Sequence, residues 1–243
     1  MNLFAHTTAI RLLLCFGIAC VGPATAASTY YAVNDFQSTN PSGPWSYGSE
    51  VTLGGTFSLL SVFTPASSNS TGDIEAWSYA AGYPDGSATP YIGHNTLTTT
   101  DTFFHLPADL LQLHPGDPTS TQPMYVVLRW TSPLSAGTVD VSGLFSSMFN
   151  PGATTDAYIL VDGIALPLYS FTFSGVGADH NFGLTVPVTL GTTIDFVIGP
   201  HGDYNGDSTG LNVTISDVPE PAAGLWVAAG LLSLGLLRRV RQH

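Results

Sequence analysis

The sequence predicts an all-β fold, an antiparallel β-sandwich of jelly-roll type, on three observations. Between residues 28 and 217, apolar side chains recur at every second position in short runs separated by clusters of Gly, Pro, Asn, Asp and Ser. A period of two places alternate side chains on opposite faces, which suits half-buried strands. No convincing run in this stretch has a helical period. Val161-Asp162-Gly163-Ile164 joins two apolar runs through an Asp-Gly pair, residues that tolerate the positive φ of a tight type I′ hairpin.

In chain order, strands are expected around Thr29 to Asp35, Phe57 to Phe63 and Ile74 to Tyr79. Met124 to Trp130 follows, with Val126, Leu128 and Trp130 on one face and Tyr125, Val127 and Arg129 on the other. Arg129 should therefore point away from the core or to a buried acid. After Val139 to Phe145, the hairpin and Phe171 to Ser174 come three clear faces: Phe182, Leu184, Val186 and Val188; Ile194, Phe196 and Ile198; and Leu211, Val213 and Ile215. Pro41 to Gly48, Thr64 to Gly72, Gly82 to Pro90 and Pro115 to Pro123 read as loops by composition. About ten strands at this spacing suit two packed sheets, with an up-and-down barrel as the alternative.

Charge narrows the partners. The chain of 243 residues carries a formal net charge of −12, and all five of its cations are arginines. From Ser28 to Asp217, Arg129 alone faces 16 acids, a net charge of −15. Such a body offers phosphates no basic track, which argues against nucleic acid and against anionic lipid.

The two ends read as addresses. An apolar run after Arg11 leads to Ala24-Thr25-Ala26, the layout of a secretory signal peptide cleaved after residue 26, with Gly17-Ile18-Ala19-Cys20 as a weaker lipoprotein alternative. Both cysteines, Cys15 and Cys20, fall in this segment, so the mature protein would hold no disulfide. At the other end Pro219-Glu220-Pro221 precedes an apolar run, Ala222 to Leu237, closed by Arg238, Arg239 and Arg241. As a helix that run would rise about 24 Å, slightly short of a bilayer core, with its arginines left cytoplasmic.

Two constellations in the body could bind ligands. Asp203, Asn205 and Asp207 alternate oxygen ligands as the first half of an EF-hand loop does, but Ser208 stands where such a loop has its glycine and no closing glutamate follows. Two readings stay open: a polar turn with Asp and Asn bonding nearby amides, or a structural calcium site. Asp73, Glu75, Trp77 and Tyr79 share a strand face, and an aromatic platform beside carboxylates suits a sugar. Burial of Trp77 and Tyr79 in the core is the competing reading of that face. Trp45, Tyr47, Tyr83, Tyr91 and Tyr204 are further sugar-contact candidates. No acid pair, histidine pair or Ser-His-Asp set is singled out by spacing, so no catalytic residue is assigned and an enzyme is not expected.

The C-terminal tail closely resembles the PEP-CTERM sorting signal of Gram-negative, exopolysaccharide-producing bacteria: a Pro-Glu-Pro motif, a short transmembrane helix and a basic end. The resemblance implies an exosortase as partner, transient residence in the inner membrane, and release to the outer surface or extracellular matrix; a permanent single-pass anchor is the alternative. Val127-Leu128-Arg129-Trp130, Gly137-Thr138-Val139, Val161-Asp162-Gly163, Thr193 to Gly199 and Asp207 to Leu211 are similar to jelly-roll modules of PEP-CTERM and carbohydrate-associated surface proteins, and Asn40 to Gly48 is similar to their opening. The sequence thus divides into a signal peptide at 1–26, a sandwich at 27–217 and a sorting signal at 218–243. The expected role is structural or glycan-binding, within an exopolysaccharide matrix or biofilm, with a polysaccharide hydrolase or lyase and a self-assembling surface protein as alternatives.

Overall fold

The computed structural model describes residues 27–148, 154–164, 169–175 and 177–218. The expected signal helix and the sorting signal, with Pro219, Glu220, Pro221, Arg238 and Arg239, lie outside the described residues. Within them the fold is all-β, and no helix is long and apolar enough to cross a membrane.

The strands are β1 (Thr29–Tyr31), β2 (Trp45–Glu50), β3 (Ser58–Leu59), β4 (Val62–Thr64), β5 (Ile74–Ser78), β6 (Tyr91–Asn95), β7 (Leu111–His114), β8 (Tyr125–Thr131), β9 (Ala136–Ser147), β10 (Thr154–Val161), β11 (Tyr169–Ser174), β12 (Asp179–Thr189), β13 (Thr193–Gly199) and β14 (Thr209–Asp217). One sheet runs β12-β9-β14-β7-β6-β5-β4, with β1 on the free stretch of β14 beyond β7; the other runs β11-β10-β13-β8-β2-β3. Every pairing is antiparallel. Because β8 to β14 pass repeatedly from one sheet to the other, the chain forms two open sheets and not the sequential ring of an up-and-down barrel.

Alternation sets which side chains meet between the sheets. Val126, Leu128 and Trp130 face Val139, Val141, Phe145, Leu211, Val213 and Ile215 in a core that also holds Phe196, Phe182 and Trp45. Each such side chain contributes about 1.5–3 kcal/mol by leaving water. Asp162 and Gly163 take φ of 55° and 60°, and the Ile164 amide donates to the Val161 carbonyl at 3.1 Å, so the expected turn forms; the β10–β11 register, with Ile159 opposite Tyr169, is however not that of a two-residue hairpin.

Composition misassigned one element. Pro41 to Gly48 was expected to be a loop, but Trp45–Glu50 is β2, an interior strand paired with β8 on one side and β3 on the other. Its Ser and Gly are small enough to lie beneath other chain segments, while Trp45, Tyr47 and Ser49 alternate into the interior. The expected strand Thr29 to Asp35 stops at Tyr31, where a turn brings the Asp35 carboxylate onto the Tyr31 amide at 2.8 Å.

Segments between strands cover parts of both outer faces. The β2–β3 connection lays Leu53 and Phe57 over Val127, Leu160 and Val197. Gly48 permits this approach, since a Cβ there would stand 2.2 Å from the Phe57 ring. On the other sheet, residues from the 79–90 and 96–110 segments pack Tyr83, Ala88, Leu106 and Leu110 against Ile74 and Ala76. Asp101 ties down the second of these segments, accepting from the Phe103 and Phe104 amides at 2.7 and 2.8 Å.

Candidate functional site

The covering segments leave a cleft of about 180 Å³ at one end of the outer face of the larger sheet. Tyr91 begins β6 and His114 ends β7, and the two are cross-strand partners with their rings stacked at 5.0 Å. The 79–90 segment adds Pro84 and Thr89, the 96–110 segment adds Phe104, and the β13–β14 turn adds Tyr204, Asn205 and Ser208. Tyr204 meets His114 edge-on at 6.1 Å. Behind the wall, Tyr83 donates to Gln112 at 3.3 Å and Gln112 donates to the Ser208 hydroxyl at 2.9 Å, which fixes both buried polar groups.

The electrostatics of the cleft are those of neutral groups. Burial lowers His114 to about 4, against its bond to Pro115, so the ring is neutral at pH 7. Pro115 offers only a carbonyl at 2.8 Å, so Nδ1 carries the proton and Nε2 is left as an acceptor. Burial likewise drives the Tyr91 and Tyr83 hydroxyls upward, keeping both protonated. The cleft therefore presents ring faces, hydroxyls and an amide, and no carboxylate lines it.

The expected sugar platform on β5 needs correction. Trp77 is only 8% exposed, packs on Phe63 and donates its indole N–H to the Gln37 carbonyl at 2.9 Å. Trp45 and Tyr47 are fully buried in the same core. None of the three offers a ring face to a ligand. On the opposite face of β5, Ile74 and Ala76 are covered by the 79–90 and 96–110 segments, so both faces are enclosed. Asp73 is half-buried beside β5, and Glu75 is taken by His94 at 3.0 Å, whose ring stacks on Phe36. Tyr79 is exposed, Tyr83 and Tyr91 are buried, and Tyr204 alone of the loop tyrosines stands half-open on the cleft.

The acidic turn is only partly the loop that its spacing suggests. Asp203 Oδ1 accepts from the Asn205 backbone amide at 3.1 Å and from its side-chain amide at 2.7 Å, the local bonding of a polar turn. Asp207 differs, being buried with neither carboxylate oxygen hydrogen-bonded. Burial pushes it up to about 8; the Thr155 hydroxyl beside it eases the charge without completing a hydrogen bond, and the Asp203 and Asp156 charges push it further upward. Asp156 itself is held by His201 Nδ1 at 2.9 Å and by the Thr172 hydroxyl at 2.6 Å.

A third polar cluster lies under the β2–β3 connection. Arg129 and Asp195 are cross-strand partners, and the guanidinium grips the carboxylate with two bonds of 2.6 and 2.8 Å. The same guanidinium lies 3.7 Å from Glu50 and 4.0 Å from the Phe57 ring centroid. Both expectations for Arg129 hold: it leaves the main core and meets a buried acid. Glu50 is fully enclosed and neither of its oxygens is hydrogen-bonded, although the Gly54 and Gly55 amides lie close by. Burial raises it to about 7, with Asp195 adding to the rise and Arg129 opposing it.

No protein-family model matches the chain, and no curated protein matches it. Among solved structures it is similar in part to a family 35 carbohydrate binding module from Clostridium thermocellum, at 18% identity over 44% of this chain and 85% of that one, with a TM-score of 0.26. A β-(1,4)-mannanase from Podospora anserina is similar at 9% identity over 80% of this chain and 28% of that one, TM-score 0.31. Fisc, a Stig cyclase from Fischerella sp. TAU, is similar at 9% identity over 82% and 93% of the two chains, TM-score 0.37. Likenesses of this extent carry no assignment of function.

Proposed function

We propose that the protein is exported, released by an exosortase to the cell surface or extracellular matrix, and there uses its jelly-roll-type sandwich to contact glycan through the Tyr204 cleft. The observation that carries the binding reading is the make-up of that cleft. A sugar presents apolar C–H faces fringed by hydroxyls, and Tyr204 and Phe104 supply ring surface while Asn205, Ser208 and Thr89 supply hydrogen-bonding groups. His114 Nε2 adds an acceptor with a fixed tautomer. The cleft is smaller than the roughly 300–1,000 Å³ of sites for drug-sized ligands, which suits a chain end or a single ring. Paired carboxylates of the kind that hydrolyse glycosides are not supplied by its lining.

A glycan-binding screen of the full chain, including the producing cell's own matrix polysaccharide, tests this. Tyr204→Ala is expected to weaken binding by about tenfold, the loss of one aromatic contact, with an unchanged melting midpoint because the residue sits on a turn outside the core. No binding to any polysaccharide would sink the glycan reading. The sorting reading has its own test, since it rests on the tail. Deleting Pro219 to Pro221 is expected to strand the protein in the inner membrane, and normal release of that variant would count against exosortase.

A further inference from the structure

We infer that the His201–Ser208 turn holds a divalent cation of the calcium class, with Asp207 as its buried ligand and Asp203 as its exposed one. The alternating Asp203, Asn205 and Asp207 raised this choice without deciding it. The new observation is Asp207: 1% exposed, with both carboxylate oxygens lacking a hydrogen-bond partner. An enclosed carboxylate needs a counter-charge, because an isolated charge away from water is expensive.

Among the described residues no lysine or arginine is free for that purpose. The protein contains no lysine. Arg129, the only arginine among the described residues, is spent on Asp195 and Glu50. His201, on the same turn, is held by Asp156. A bound divalent cation supplies that charge.

The surroundings say which cation. Three acidic or histidine side chains do not converge on one point among the described residues, so two carboxylates must be completed by neutral oxygens. The Thr155 side chain beside Asp207, backbone carbonyls of the turn and water are of that kind. Asn205 acts as a positioning residue, donating twice to Asp203 and leaving the second Asp203 oxygen without a hydrogen bond. Oxygen-only donors favour calcium or magnesium over zinc and copper. Calcium accepts roughly six to eight oxygens in irregular arrangements, whereas magnesium demands a near-ideal octahedron that an open turn does not impose.

The two acidic ligands lie outside the cleft, although Tyr204, Asn205 and Ser208 of the same turn line it, and the test uses the metal alone. The full chain is titrated with calcium by calorimetry, and with terbium, whose emission would be sensitised by Tyr204 between two of the turn's acidic and amide residues. The expected result is saturable calcium binding, a melting midpoint that rises with calcium, and terbium emission that calcium displaces. Asp207→Asn should abolish all three. As that substitution alters an enclosed position, Asp203→Asn is the companion: melting in chelator unchanged, calcium affinity down by about tenfold for one lost charged ligand. Wild-type melting and terbium emission that ignore millimolar calcium would overturn the assignment, and so would wild-type affinity in Asp203→Asn.

Discussion

Arg129→Met is expected to lower the free energy of unfolding at neutral pH by about 3–5 kcal/mol, the range found when one partner of a buried ion pair is removed. The methionine retains much of the stem that lies against Phe57, so the loss reports the guanidinium rather than packing. What remains is a pair of enclosed carboxylates, Asp195 and Glu50, without their shared cation. Burial already pushes Asp195 upward against the pull of Arg129, so in the variant it will protonate more readily still. The loss should therefore shrink markedly by about pH 4, near the ordinary carboxylate range. Urea unfolding at the two pH values measures it. A loss of less than about 1 kcal/mol would mean that the pair behaves as an exposed surface bridge.

Glu50→Gln is expected to act in the opposite direction. Its carboxyl lies at about 7 in the folded protein against an ordinary 4.5, so the folded state binds the proton more tightly than the unfolded chain does. Stability from this group is then fully present below 4.5 and is lost as pH rises toward 7, after which the deficit is constant. The shift corresponds to about 3 kcal/mol. Glutamine keeps the shape and removes the titration. The variant should match wild type near pH 4 and exceed it at pH 8 by an amount of that order. Equal stability of the two proteins at pH 8 would show that Glu50 is ionised in the fold without cost.

The sandwich was legible because alternation is a local property. Leu211, Val213 and Ile215 announce a strand whatever they pack against, and Asp162-Gly163 announces its turn through φ alone. Trp45, Tyr47 and Trp77 mark the limit. Their rings read equally as core or as sugar platform, and the choice depends on distant segments, the 32–37 turn and the loops over Ile74 and Ala76, that no window of sequence contains. The same limit hid the cleft. His114, Phe104 and Ser208 come from separate elements, and only the Tyr91–His114 register and the folding back of the 79–90 segment bring them together. Arg129 was different. A lone arginine on an outward strand face in an acidic body requires a partner, and only the identity of that partner, Asp195, awaited the register.

The seat of Arg129 has one more consequence. Proteases of the trypsin type cut after lysine or arginine in segments that can be drawn out into their active site. The stretch from residue 28 to 217 contains no lysine, and its one arginine lies mid-strand in β8, hydrogen-bonded between β13 and β2 and roofed by Phe57. Folded, the domain offers such an enzyme no place to begin.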